Sequence, residues 1–199
     1  MNAEVMPLFW RIAEHEQNGL EAVSLLMPAP ASGEAPAEFP TEVCFRSSRE
    51  QKPPVDLRWS DEDSDLFMSL LDRVVDVEED NEVTLDINDG IVQGIVQLVA
   101  LARFKKPAPT DDLVGDDFNT EREETEIGDL VALNTRYGYV LAIVVGLDSI
   151  DTTCVLLESV VDDAGLTLVA ENTLVIANRL SILPGCFADS DVGQGETRH

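Results

Sequence analysis

Basic residues are scarce in this sequence. Thirteen Lys and Arg stand against 39 Asp and Glu, a formal net charge of −26. Proteins that read a phosphate backbone displace its counterions with Lys and Arg, so this balance argues against nucleic-acid binding. It argues equally against an anionic lipid surface. Histidine is scarcer still, and His15 is the only internal one. Its neighbours Glu14 and Glu16 do not share its face on a helix, and no nucleophile lies near it in sequence, so an ordinary surface or core histidine is expected. Three cysteines, Cys44, Cys154 and Cys186, are an odd number at wide spacing, which fits neither a disulfide framework nor a zinc pattern. Cys154 lies in an apolar run and reads as a small buried hydrophobe. Cys44 carries no nucleophile signature. Aromatics make up only 6% of the chain, so an aliphatic core is expected. No apolar run reaches the roughly 18 residues of a membrane span. MNAEVMPLFW lacks a basic segment followed by an apolar one. Together these absences predict a soluble, cytoplasmic protein with reduced cysteines.

What is present is an apolar fraction of 44%, enough for a core, in 199 residues, the length of one ordinary domain or two small ones. In residues 6–27, Phe9, Trp10, Ile12 and Ala13 suit one face of a short helix, while AVSLLM suits a strand equally well. PAPASGEAPAEFP, 28–40, carries four prolines in thirteen residues and reads as a linker within an N-terminal segment, 1–58. TEVCF has strand character. WSDEDSDLFMSLLDRVV, 59–75, is the clearest helix. Ser60 and Asp63 have capping-box spacing, carboxylates crowd the positive end of the helix dipole, and Leu66, Phe67, Leu70, Leu71 and Val74 recur on one face. DEDSD also has the alternating carboxylates of a calcium loop, but Leu66 and Asp72 stand where that loop requires Gly and Glu. No glycine-rich stretch has phosphate-loop spacing.

Two stretches align without a gap, VTLDINDGIVQGIV at 83–96 and VALNTRYGYVLAIV at 131–144. The first reads as a hairpin about NDG. A helix capped by Asp89, with apolar residues at 91, 95, 98, 99 and 102, is the alternative. The β-branched residues and Gly94 favour the hairpin. An acidic helix plus hairpin over 59–104 is therefore expected, then an acidic linker, 105–126. From Ile127 the pattern is β: DLVALNT, GYVLAIVVGLD, TTCVLLESVV, LTLVAENTLVI and RLSILPG, with a hairpin about DDAG. Five short strands in one segment, 127–186, suggest a small barrel, followed by a polar tail, 187–199.

This segment resembles an SH3-like or Sm-like small β-barrel. Tyr137-Gly138 matches the opening turn of the Sm pattern, Ala142 takes the place of its bend glycine, and GLD at 146–148 resembles the end of its long strand. ILPG resembles a typical closing strand. The resemblance implies an α+β chain ending in a small antiparallel barrel. It does not carry over the RNA site. Ser149, Ile150, Asp151 and Thr152 fill the stretch where Sm proteins place a base-contacting Asn. Ala177-Asn178 follows Ile176 where they place Arg-Gly, although Asn can adopt the left-handed backbone that Gly adopts there.

The expected function is that of a non-enzymatic interaction or assembly component, with no catalytic residue, cofactor or metal. Its expected partner is a protein, one with a basic surface included, and self-association through exposed strand edges is expected with it. An acidic inhibitor presenting carboxylates from 61–82 and 111–129 to a basic partner is the first alternative. A divergent Sm-like RNA binder is the second.

Overall fold

From Phe9 to Glu14, successive side chains point to opposite faces of a strand, Trp10 into the core and Arg11 to the other side. The computed structural model describes residues 7–14, 19–27, 36–46, 54–74, 86–108, 110, 113–114 and 124–188. The chain is an α+β protein of two units, Met1–Phe104 and Lys105–His199. The first comprises β1 (Phe9–Glu14), β2 (Leu20–Met27), β3 (Ala37–Arg46), β4 (Val55–Arg58), α1 (Asp61–Val74) and α2 (Gly90–Phe104). Its four strands form an antiparallel sheet in the order β3-β2-β1-β4.

The short helix considered for Phe9–Ala13 is thus a strand. It pairs with the neighbouring β2 on one side and with the sequence-distant β4 on the other, and this pairing overrides the local pattern. The 28–40 linker is also corrected, because Ala37–Pro40 belong to β3. β3 is an edge strand, where the missing N–H of Pro40 does not break a ladder. Pro40 also borders a bulge, across which the β2 register jumps between Ala22 and Ser24.

One face of this sheet carries Trp10, Val23, Leu25 and Val43, each at most 2% exposed. The buried residues are mostly aliphatic, as expected, but an aromatic cluster joins them here. Trp10 stacks on Trp59 at 5.1 Å and meets Phe104 edge-on at 5.7 Å, while Phe45 and Phe67 extend the cluster. The opposite face carries a polar row. Arg11 lies opposite Asp56 in register and donates two hydrogen bonds to its carboxylate, at 2.8 and 2.9 Å, and a third at 3.3 Å to Glu38. Ser24 in turn donates to Glu38. The bond to Asp56 raises the pKa of Arg11, and that to Arg11 lowers the pKa of Asp56.

Asp63 joins the elements of this unit. Its carboxylate accepts the Ser60 N–H at 2.9 Å, and Ser60 Oγ accepts the Asp63 N–H at 3.2 Å, so the capping box read from sequence is formed. The same carboxylate accepts the Trp10 indole N–H at 3.3 Å, and its other oxygen lies 3.9 Å from Arg103 Nε near the end of α2. With Asp63 only 4% exposed, the cap is a buried junction of β1, α1 and α2.

The hairpin expected over 83–104 is overturned. Residues 90–104 form α2, and 83–85 lie outside the described residues. Asp89 caps the helix, accepting the Ile91 N–H at 2.7 Å. Val92, Ile95, Val96, Val99, Ala100 and Leu101 are all buried, a helical spacing. Burial of that stripe outweighs the strand preference of Val and Ile. The likeness between 83–96 and 131–144 is therefore one of sequence only.

The second unit holds β5 (Leu130–Thr135), β6 (Gly138–Leu147), β7 (Asp151–Leu156), β8 (Val160–Val161), β9 (Thr167–Val169), β10 (Leu174–Asn178) and β11 (Ile182–Pro184), with a 3₁₀ turn at Arg179–Ser181. A five-stranded antiparallel sheet runs β10-β7-β6-β5-β11, and β8 pairs only with β9. The order is open, with β10 and β11 at opposite ends, so the closed barrel is not found among the described residues. The DDAG hairpin is present: the Asp162 carboxylate accepts the N–H groups of Ala164 and Leu166 at 2.9 and 2.8 Å. The β6 irregularity falls between Val144 and Gly146, while Ala142 is fully buried within regular pairing.

This core is aliphatic: Val131, Leu133, Val140, Val144, Leu156 and Val175 are among its members. The 105–126 linker contributes to it. Leu113 is buried there, Ala108 donates a 2.7 Å hydrogen bond to Leu174, and Thr110 donates to Ile176. Residues 189–199 of the expected tail lie outside the described residues.

Both tryptophans lie in the first unit, so their fluorescence reports its unfolding alone. Asp63→Ala should lower that unit's stability by about 2–4 kcal/mol in urea titration, combining a lost cap with an orphaned buried indole N–H. Gly94→Ala separates helix from hairpin. A Cβ at Gly94 meets nothing within 4 Å, so the substitution should stabilise α2 by about 0.5–1 kcal/mol, read as a higher urea midpoint.

Candidate functional site

Three segments far apart in sequence approach one another at one end of the second unit's sheet. They are the start of β5, the loop after β6, and the chain from Asn178 through β11. Between them lies an open groove of about 530 Å³. Its lining includes Leu130, Ile150, Arg179, Leu183 and the carboxylates of Glu124 and Asp129. Leu130 and Ile150 are 54% and 63% exposed there.

Local sequence explains why the walls hold their shape. Asp148 closes the loop after β6: one carboxylate oxygen accepts the N–H groups of Ile150 and Asp151, both at 2.7 Å, and its own N–H returns to Asp151 at 3.0 Å. The hydrogen bond from Asp151, then that from Ile150, with the charge of Arg179 adding to them, holds this carboxyl below the usual carboxylate range. On the facing wall, Asn178 caps the 3₁₀ turn, its side chain accepting the Leu180 N–H at 3.0 Å. Its backbone is extended, with φ −61° and ψ 140°, so the left-handed turn anticipated at this position is not formed. Among the described residues, the left-handed non-glycine residue is Asn172, at φ 58°. Arg179 donates its backbone N–H to Ile150 at 3.1 Å, tying the two walls together. At the groove's far end, a Cβ on Gly185 would come within 2.8 Å of the Leu130 carbonyl oxygen, so this approach of chain to chain requires glycine.

The groove thus presents exposed aliphatic side chains among polar and acidic residues. The chemical candidates weighed from sequence do not converge on it. His15 lies outside the described residues, as do all of 75–85 and 115–123, which carry much of the acidic sequence. Cys44 lies in β3 of the first unit. Cys154 is fully buried, and burial pushes its thiol up to about 12. Among the described residues, no group of three or more His, Cys, Asp or Glu is placed to hold a metal ion. No helix among them is long and apolar enough to cross a membrane. Sequence reading did single out 149–152 and 176–178, for what they lacked as an RNA site. Of these, Ser149, Ile150 and Asn178 line the groove, brought together by the pairing of β7 and β10, Asp151 opposite Asn178. No family model matches the sequence, and no curated protein matches it.

The depressed pKa of Asp148 has a signed consequence. Its hydrogen bonds stabilise the fold fully above the ordinary Asp value of about 3.9, and that stabilisation is lost as pH falls through the lower folded value. In an NMR titration, the Ile150 and Asp151 amide shifts should therefore move at a pH below about 3.9. Asp148→Ala should abolish that titration and speed hydrogen exchange at both amides.

Proposed function

We propose that this chain is a non-enzymatic interaction or assembly component, and that its second unit is an SH3-like β-fold that docks an extended, basic segment of a partner protein in the groove beside β11. The observation that carries the reading is the pair of exposed aliphatic side chains, Leu130 and Ile150, on walls held rigid by Asp148, Asn178 and Gly185. Apolar side chains kept at a solvent-open groove favour a partner that covers them.

Two further observations support it. The SH3-like assignment rests on the strand order β10-β7-β6-β5-β11 together with a 3₁₀ turn between the two strands that end the sheet. The basic character of the partner rests on charge. From Tyr137 to Asn178 the sequence has no Lys or Arg, and Arg179 sits beside Asp148, whose charge offsets its own. With −26 over the whole chain, a basic segment is drawn in and an acidic one is repelled.

The test is an array of immobilised peptides in which Lys or Arg alternates with apolar residues, paired with counterparts carrying Glu in place of the basic residues. The chain should bind members of the basic set only, more weakly as salt rises. Ile150→Asp should reduce that binding at least tenfold while leaving the melting temperature unchanged. Binding to neither set, or binding indifferent to Ile150→Asp, would sink the proposal.

A further inference from the structure

Hydrogen-bond parity decides which backbone groups of β4 face outward. In an antiparallel pair, directly opposed residues alternate between bonded and non-bonded pairs. Trp59 donates its N–H to the Leu8 carbonyl at 3.0 Å, and β4 runs against β1 with Leu57 opposite Trp10 and Val55 opposite Ile12. Trp59, Leu57 and Val55 therefore spend their backbone groups on the β1 side. Asp56 and Arg58 turn theirs to the other side, where no strand pairs with β4 among the described residues.

The opposite edge of the same sheet is treated differently. On β3, the Glu42 N–H is taken by the Gln97 side chain of α2 at 2.9 Å, and Pro40 has no N–H to offer. Among the described residues, no such contact covers the outer edge of β4. All four of its residues are exposed, and its large apolar side chains Val55 and Leu57 are 41% and 39% exposed.

We propose that β4 is a homodimerisation edge, on which a second copy of this chain pairs its own β4 antiparallel about a two-fold axis through Leu57. This register alone satisfies three conditions together. Asp56 comes opposite Arg58 of the other copy, twice, so each outward-facing N–H and C=O meets its complement. Each Arg58 guanidinium comes beside a carboxylate whose charge it opposes, and that carboxylate is already oriented by Arg11. The two Leu57 side chains meet as a non-bonded pair, the closer kind. Pro54, with no N–H, ends the ladder on one side and keeps the contact to these residues. The result is a sheet of eight strands across two first units. The inference is independent of the groove, which lies in the other unit.

Cysteine trapping tests both the dimer and its register, in a chain with Cys44 and Cys186 replaced by Ser. Leu57→Cys should cross-link into a covalent dimer under mild oxidation, because non-bonded antiparallel pairs lie about 4.5 Å apart at Cα, within disulfide range. Val55→Cys should stay monomeric, because four residues of offset separate the two copies of position 55 by about 13 Å. In sedimentation equilibrium at about 0.15 M salt, where repulsion beyond about 8 Å is screened, the unmodified chain should approach twice its 21.8 kDa mass as concentration rises. Arg58→Glu, which sets like charges opposite each other, should weaken association at least tenfold. Arg58→Pro, which removes an outward N–H and leaves the β1 ladder intact, should do the same. Unchanged tryptophan-monitored unfolding of the monomeric variants shows that the fold survives. A chain that stays monomeric into the millimolar range overturns the proposal, as does cross-linking of Val55→Cys as readily as Leu57→Cys.

Discussion

A strand at the end of a sheet carries backbone N–H and C=O groups that its own sheet does not pair, and the described residues have six ends of that kind to manage. Their treatment organises both units. In the first, Gln97 reaches from α2 to the β3 edge, which ties helix to sheet as well as blocking the edge. In the second, Ala108 and Thr110 bond to the outer side of β10, drawing a stretch that reads as linker into the core beside Leu113. β11 is cut to three residues ending in Pro184, β8 and β9 pair with each other, and β4 stays open. Both functional readings lie where backbone is left uncovered.

The two units solve the packing problem with different materials. The first draws both tryptophans and three phenylalanines around one buried carboxylate. Asp63 is tolerated there because its lone pairs are filled by a cap, an indole and a guanidinium, which offset the cost of burying it. The second unit is packed by Val, Leu and Ile across closely paired strands, with Asp148 and Asp162 closing turns at their ends. Sparse aromatics are therefore concentrated, and an average over the chain conceals it.

Acidity has a local structural use as well as a global one. Asp148, Asp162, Asp86 and Asp89 each accept backbone N–H groups in a turn or cap. A carboxylate does this more strongly than a neutral acceptor, so part of the −26 charge holds loops in shape. The remainder creates a negative field around the chain.

Sequence alone determined the features whose cause is local. The capping box of α1 joins residues three apart, the DDAG turn closes on Asp162, and the alternating runs after Ile127 become strands because period-two patterning leaves no other covered face. Features that rest on distant partners were decided only by the tertiary structure. β1 is a strand because β2 and β4 flank it, and residues 90–104 are a helix because one stripe of Val and Ile is buried. Asn178 caps a turn, extended in backbone, because Arg179 is tied to Ile150. The groove needs Leu130, Ile150 and Gly185, widely separated in sequence, to share one wall-to-wall space. The open edge of β4 follows from hydrogen-bond parity set by β1. Local patterns report what a residue prefers, whereas pairing and burial decide which preference is satisfied.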